Sequence, residues 1–133
     1  LVVWFALAIL AWLLLTPSLR LYALLLAAAG CVLDILLART ELIVFHGETA
    51  LPLWMVALWL MFSTVWVRIT FTTTLPGWIL ALLATFVGPI AYLIGERLGA
   101  IAFQQPTLNV LCWLATGWLM LMLIFHLLMG RRA

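Results

Sequence analysis

Runs of roughly 18 or more mostly apolar residues recur along this chain, and no other feature constrains its fold as strongly. Each run is about what an α-helix needs to cross a hydrocarbon core of roughly 30 Å. Inside lipid an unpaired backbone group costs several kcal/mol, so every run must satisfy its own hydrogen bonds as a helix. The strict apolar and polar alternation of a membrane β-barrel is absent. The 133 residues are 69% hydrophobic and 8% charged, and no stretch is polar or long enough to fold as a soluble domain. The expected fold is therefore all-α: one multi-pass transmembrane bundle of about five spans, forming a single integral membrane domain over residues 1–133.

The apolar run Leu1 to Leu15 ends at Thr16-Pro17-Ser18, a helix stop followed by a fresh start. It is short for a full span, and the chain opens on Leu1 without Met, so an N-terminal piece is expected to precede it. Leu19 to Leu37 forms the second span, with Ala27, Cys31, Asp34 and Ala38 at steps of four, three and four on one face. The polar segment 38–50 has too short an apolar core to span, and is expected at the interface or folded back on the bundle. Leu51 to Ile69 is the third span, where Met55, Trp59, Phe62 and Trp66 make an aromatic stripe suited either to packing or to ligand stacking.

Gly77 opens the fourth span, in which Pro89 removes a helical hydrogen bond and predicts a kink or break at Gly88-Pro89. Further along, Gly95-x-x-x-Gly99 is a spacing that admits a neighbouring helix, and so a homo-oligomer contact or a partner membrane protein. Thr107 to Met129 is the fifth span. With alternating spans, Arg20, Arg68, Arg131 and Arg132 share one side, which the positive-inside rule places in the cytoplasm together with the C-terminus.

That topology gathers Asp34, Arg39, Glu41, His46, Glu48, Glu96 and Arg97 at the opposite end. An intramembrane carboxylate is costly, about 2.5–3.5 kcal/mol at mid-membrane, so Asp34 is expected to face the bundle and find a partner. Two roles fit it. It either pairs with Arg97 or Arg39 to fix helix packing, or acts as a general base in a cavity with His46 and Glu48 assisting. Tyr92, Glu96, Arg97 and Trp59 are the residues placed to bind a ligand there. His46 and Glu48 alone are too few for a metal centre, and no metal or cofactor is expected.

Several chemistries lack their motifs. There is no G-x-S-x-G, P-loop, H-E-x-x-H or paired-Cys motif, and the absence of a basic cluster argues against nucleic acid as a partner. No two halves repeat with matched broken helices, which argues against a transporter working alone. Membrane lipid is the partner that the composition implies.

Leu51-Pro52-Leu53-Trp54, Ala57-Leu58-Trp59 and Phe62, followed by Gly88-Pro89, Tyr92, Gly95 and Leu98-Gly99-Ala100, resemble the bacterial membrane family known as domain of unknown function 2878. The Gly30 to Asp34 stretch is also similar, so the likeness covers about residues 24–102. The resemblance implies a small multi-pass protein of the bacterial inner membrane with no established activity. The favoured reading is a non-enzymatic accessory or lipid- or amphiphile-binding protein. The alternatives are a lipid-modifying enzyme with Asp34 as general base, and an oligomeric transporter.

Overall fold

In the computed structural model, which describes residues 2–45 and 51–129, the chain is a bundle of five helices and two short strands. The helices are α1 (Val2–Leu13), α2 (Pro17–Arg39), α3 (Leu53–Thr72), α4 (Gly77–Arg97) and α5 (Thr107–Met129). The strands are β1 (Ile43–Phe45) and β2 (Ile101–Phe103). α2 through α5 are long and apolar enough to cross a membrane, whereas α1, at 12 residues, is not.

Each of the four long helices starts at a proline. Pro17 occupies the first turn of α2, Pro52 and Pro76 precede α3 and α4, and Pro106 precedes α5. Proline lacks an N–H that would be unpaired there in any case, and its φ is already helical. Pro89 lies inside α4, which continues through it as one helix, so the chain is not broken there even though proline cannot donate the helical hydrogen bond. At the corner between α1 and α2, Arg20 Nη2 donates to the Leu13 carbonyl at 2.7 Å, and Trp12 Nε1 donates to the Arg20 carbonyl at 3.0 Å.

α2 and α4 end in the same way. Beyond Arg39, Glu41 takes a φ of 60° while Glu41 N donates to the Ala38 carbonyl and Leu42 N to the Leu37 carbonyl. Beyond Arg97, Gly99 takes a φ of 83° while Gly99 N donates to Glu96 and Ala100 N to Gly95. Both are Schellman caps, in which a left-handed residue lets the chain satisfy the last carbonyls and turn away. Each cap leads directly into a strand, and the strands pair antiparallel with Val44 opposite Ala102.

A glycine takes this conformation freely, whereas a side chain there is strained by roughly 1–2 kcal/mol. Glu41→Gly is therefore expected to raise stability by about 0.5–1 kcal/mol, and Gly99→Val to lower it by at least about 1 kcal/mol, in unfolding measured by SDS titration.

These matching ends belong to a larger repeat. Leu24, Leu25, Gly30, Arg39, Ile43 and Phe45 recur 58 positions later as Leu82, Leu83, Gly88, Arg97, Ile101 and Phe103. Trp54, Trp59, Leu60 and Met61 recur 59 positions later as Trp113, Trp118, Leu119 and Met120. The unit is helix, cap, strand, helix: α2-β1-α3, then α4-β2-α5, with α1 packed on α3 as an addition to the first. The closely packed helix pairs, α2 with α3 and α4 with α5, are the two units.

Mates touch one another across the seam. Asp34 meets Tyr92, its counterpart 58 positions on, and Trp59 stacks on Trp118. Mutual contact between equivalent residues is the mark of a two-fold arrangement. Since each unit holds two helices of membrane-spanning length, both units run in the same sense through the bundle. The two halves therefore repeat, without the matched broken helices of many transporters. Pro89 has Cys31 as its counterpart, so only α4 of the two equivalent helices carries a proline in its interior.

Candidate functional site

The seam between the two units carries the site. Asp34, fully buried on α2, accepts two hydrogen bonds: Trp59 Nε1 of α3 donates to Oδ2 at 2.7 Å, and the Tyr92 hydroxyl of α4 donates to Oδ1. One carboxylate thus ties three helices together. Trp59 and Tyr92 are themselves nearly fully buried. In this dry setting a carboxylate without partners would be prohibitive, and two donors supply what water would have supplied.

Glycines make room for the rings. A Cβ on Gly30 would collide with the Trp59 ring, and one on Gly88 would collide with the Trp118 ring. Each unit therefore seats a tryptophan of its second helix against a glycine of its first. The two indoles then stack at 5.0 Å between centroids, and Phe62 adds an edge contact to Trp118 at 5.1 Å. The symmetry breaks in the polar chemistry. Trp59 has an acceptor because its neighbour is Asp34, whereas Trp118 Nε1 is buried with no acceptor among the described residues, its corresponding neighbour being Tyr92.

The expected ion pair of Asp34 with Arg97 or Arg39 is not formed. Arg97 Nε contacts its own neighbour, Glu96 Oε1, at 3.1 Å with the Arg97 side chain 72% exposed, and Arg39 is exposed at the end of α2. Both guanidinium groups sit at helix ends where they remain outside the apolar interior, more than a turn beyond Asp34. Of the residues singled out in the sequence, the structure brings together Asp34, Tyr92 and Trp59, and leaves Glu96 and Arg97 apart from them. His46 and Glu48 lie outside the described residues. Among the described residues no group of three or more His, Cys, Asp or Glu gathers as a metal site would require.

Gly95 and Gly99 differ in their local setting. Gly99 lies beyond the end of α4 in its cap, and Gly95 faces Ile101 of the same chain, so the two glycines do not form one helix surface. The small residue that does admit a neighbouring helix on α2 is Gly30, which the face drawn through Ala27 and Cys31 passed over.

Beside the buried carboxylate, a cleft of about 180 Å³ lies between α3 and α4, walled by Met55, Trp59, Phe62, Tyr92 and Trp118. Asp34 does not line it; its two donors do. Two further clefts, of about 530 and 280 Å³, lie between α2 and α5. All three fall on the seam between the units rather than inside either unit.

These features define the class: an all-α bundle with four helices of membrane-spanning length, arranged as two like units around a sealed carboxylate. The chain belongs to the family described as protein of unknown function (DUF2878), whose model matches residues 1–124 and so extends the likeness to nearly the whole chain. No curated protein and no solved structure matches it.

Proposed function

We propose that the protein is a non-enzymatic, multi-pass protein of the bacterial inner membrane that holds a lipid or similar amphiphile between its helices, with its C-terminus in the cytoplasm. The observation that carries this reading is the placement of the three clefts. They occupy the lateral seam between the two units, where apolar and aromatic walls would face acyl chains in a membrane.

The sealing of Asp34 weighs against a general base. A base must come within about 2.6–3.2 Å of the proton it removes. Both Asp34 oxygens are already engaged, and the side chain has no exposed surface. Its contribution is to hold α2, α3 and α4 in register so that the clefts keep their shape. The arrangement of Arg20 and Arg68 at one end and Arg39 and Arg97 at the other, with Arg131 and Arg132 following α5, supports the orientation.

The test is native mass spectrometry of the full chain released from mild detergent. The expected spectrum contains lipid adducts of defined stoichiometry that survive a detergent wash. A spectrum of bare protein under conditions that preserve the fold would sink the reading. Conversion of a lipid by the wild-type chain, lost in Asp34→Asn without loss of stability, would turn the assignment toward an enzyme.

A further inference from the structure

The two clefts between α2 and α5 lie end to end along the same faces of the two helices, as an interrupted groove. On α2 it is lined by Tyr22, Leu26, Ala29, Leu33, Leu37 and Thr40, whose steps of three and four keep them on one helical face. On α5 the same pattern runs through Asn109, Trp113, Gly117, Leu121, Phe125 and Leu128. At about 1.5 Å per residue these stretches are roughly 27–29 Å long, close to the roughly 30 Å thickness of a hydrocarbon core. The groove therefore has the length to run from one leaflet to the other.

It narrows at one level. A Cβ built on Gly117 would lie 2.8 Å from Leu33 Cδ1, so the leucine tip rests on the bare backbone of α5 and divides the larger cleft from the smaller. The obstruction is the far end of a rotatable side chain, which can swing aside without moving either helix. The larger cleft also offers the uncharged amides of Gln105 and Asn109, and the hydroxyl oxygens of Thr40 and Thr116 as acceptors, since those two hydroxyls donate to carbonyls of their own helices. Among the described residues no charged side chain lines either part.

We infer that the α2–α5 groove is a track along which an amphiphile with an uncharged, hydrogen-bonding head and acyl chains passes between leaflets, with Leu33 and Gly117 as its waist. The inference rests on the amphiphile-binding reading and adds the site, the ligand class and the movement. The amide and hydroxyl groups at the wide end receive the head as it leaves water. A charged head would meet no counter-charge among the described residues of the groove and would keep its full desolvation cost at the waist. The chains stay in lipid beside the groove while the head moves inside it.

The test uses the full chain reconstituted into liposomes containing a glycosyl diacylglycerol with a fluorophore on one acyl chain, in parallel with phosphatidylserine bearing the same labelled chain. Dithionite bleaches only outward-facing label. With wild type, the inner-leaflet glycolipid is expected to become accessible while the phosphatidylserine stays protected as in protein-free vesicles. Gly117→Phe is expected to restore protection of the glycolipid. Leu33→Ala, which widens the waist, is expected to speed its exposure about fivefold or more, and it keeps the test decisive should the phenylalanine variant fail to fold. Glycolipid protection equal to that of protein-free vesicles, equal movement of both lipids, or a Leu33→Ala rate unchanged from wild type would each overturn the track. Lipid adducts without transbilayer movement would remove this inference and leave the binding reading standing, whereas loss of both would remove the two together.

Discussion

Asp34→Ala is expected to destabilise the protein by about 2–4 kcal/mol, among the largest effects of any single substitution in the chain. It strands two buried donors, the Trp59 indole and the Tyr92 hydroxyl, and each unsatisfied donor costs about 1–3 kcal/mol. Hydrogen bonds inside membrane proteins measure smaller, about 0.6–2 kcal/mol, because the unfolded helices also find partners in the bilayer, so the sum stays below the aqueous maximum. Tyr92→Phe removes one donor and leaves the other, and about 1 kcal/mol is expected. SDS titration followed by tryptophan fluorescence reads both, and the double variant should lose less than the two singles added together, since they share one hydrogen bond. Arg97→Gln should stay within about 0.5 kcal/mol, as an exposed residue whose ion-pair partner among the described residues is its neighbour Glu96. An Asp34→Ala protein as stable as wild type would contradict the account of the seam, and so would an Arg97→Gln protein as damaged as Asp34→Ala.

The second large effect is expected at the paired glycines. Gly30→Leu and Gly88→Leu each drive a side chain into a buried, stacked indole ring, and each should cost roughly 3 kcal/mol or prevent folding. The repeat makes a sharper statement than the collisions do. Because Gly30 seats Trp59 as Gly88 seats Trp118, the two variants should be damaged to a similar extent, although one helix contains Pro89 and the other does not. Gly95→Ala is the contrast. Its new methyl group would meet only the flexible tip of Ile101 at 3.1 Å, and the change should stay within about 0.5 kcal/mol. A Gly30→Leu protein that unfolds at the wild-type SDS concentration would show that the Trp59 seat does not hold the first unit together.

The membrane-length helices were legible because hydrophobic run length is a one-dimensional property, and prolines punctuate it. Asp34 was legible for a similar reason: a carboxylate inside such a run stands out against every neighbour. Its partners were harder to name. Tyr92 and Trp59 had been singled out on their own helices, but opposite charge drew the pairing toward Arg39 and Arg97. The fold instead answers the carboxylate with neutral donors at its own depth and leaves the arginines at the ends. The strands were hidden because Ile43–Phe45 and Ile101–Phe103 are three residues each, too short to show alternation, and their pairing depends on two helix ends being neighbours. The repeat was written in the spacing of Gly30, Arg39, Ile43 and Phe45 and again in that of Gly88, Arg97, Ile101 and Phe103. Between these positions one apolar residue substitutes freely for another, and the two site residues related by the repeat, an acid and a phenol, are chemically unlike.

The pairing of β1 with β2 also dictates an order of assembly. When the ribosome has delivered only α1, α2, β1 and α3, the N–H and C=O groups along β1 have no strand to receive them, and Asp34 has Trp59 but not Tyr92. A bare strand edge beside an incompletely satisfied carboxylate is a poor end point, which keeps the half-made chain receptive to its second unit. Closure waits until the end of α4 has emerged and its capped terminus can swing β2 alongside. The loop closed at that moment is long, yet its entropy grows only with the logarithm of its length. A nascent chain arrested before residue 101 should therefore remain open to protease at Ile43–Phe45, and become protected there once β2 has been made.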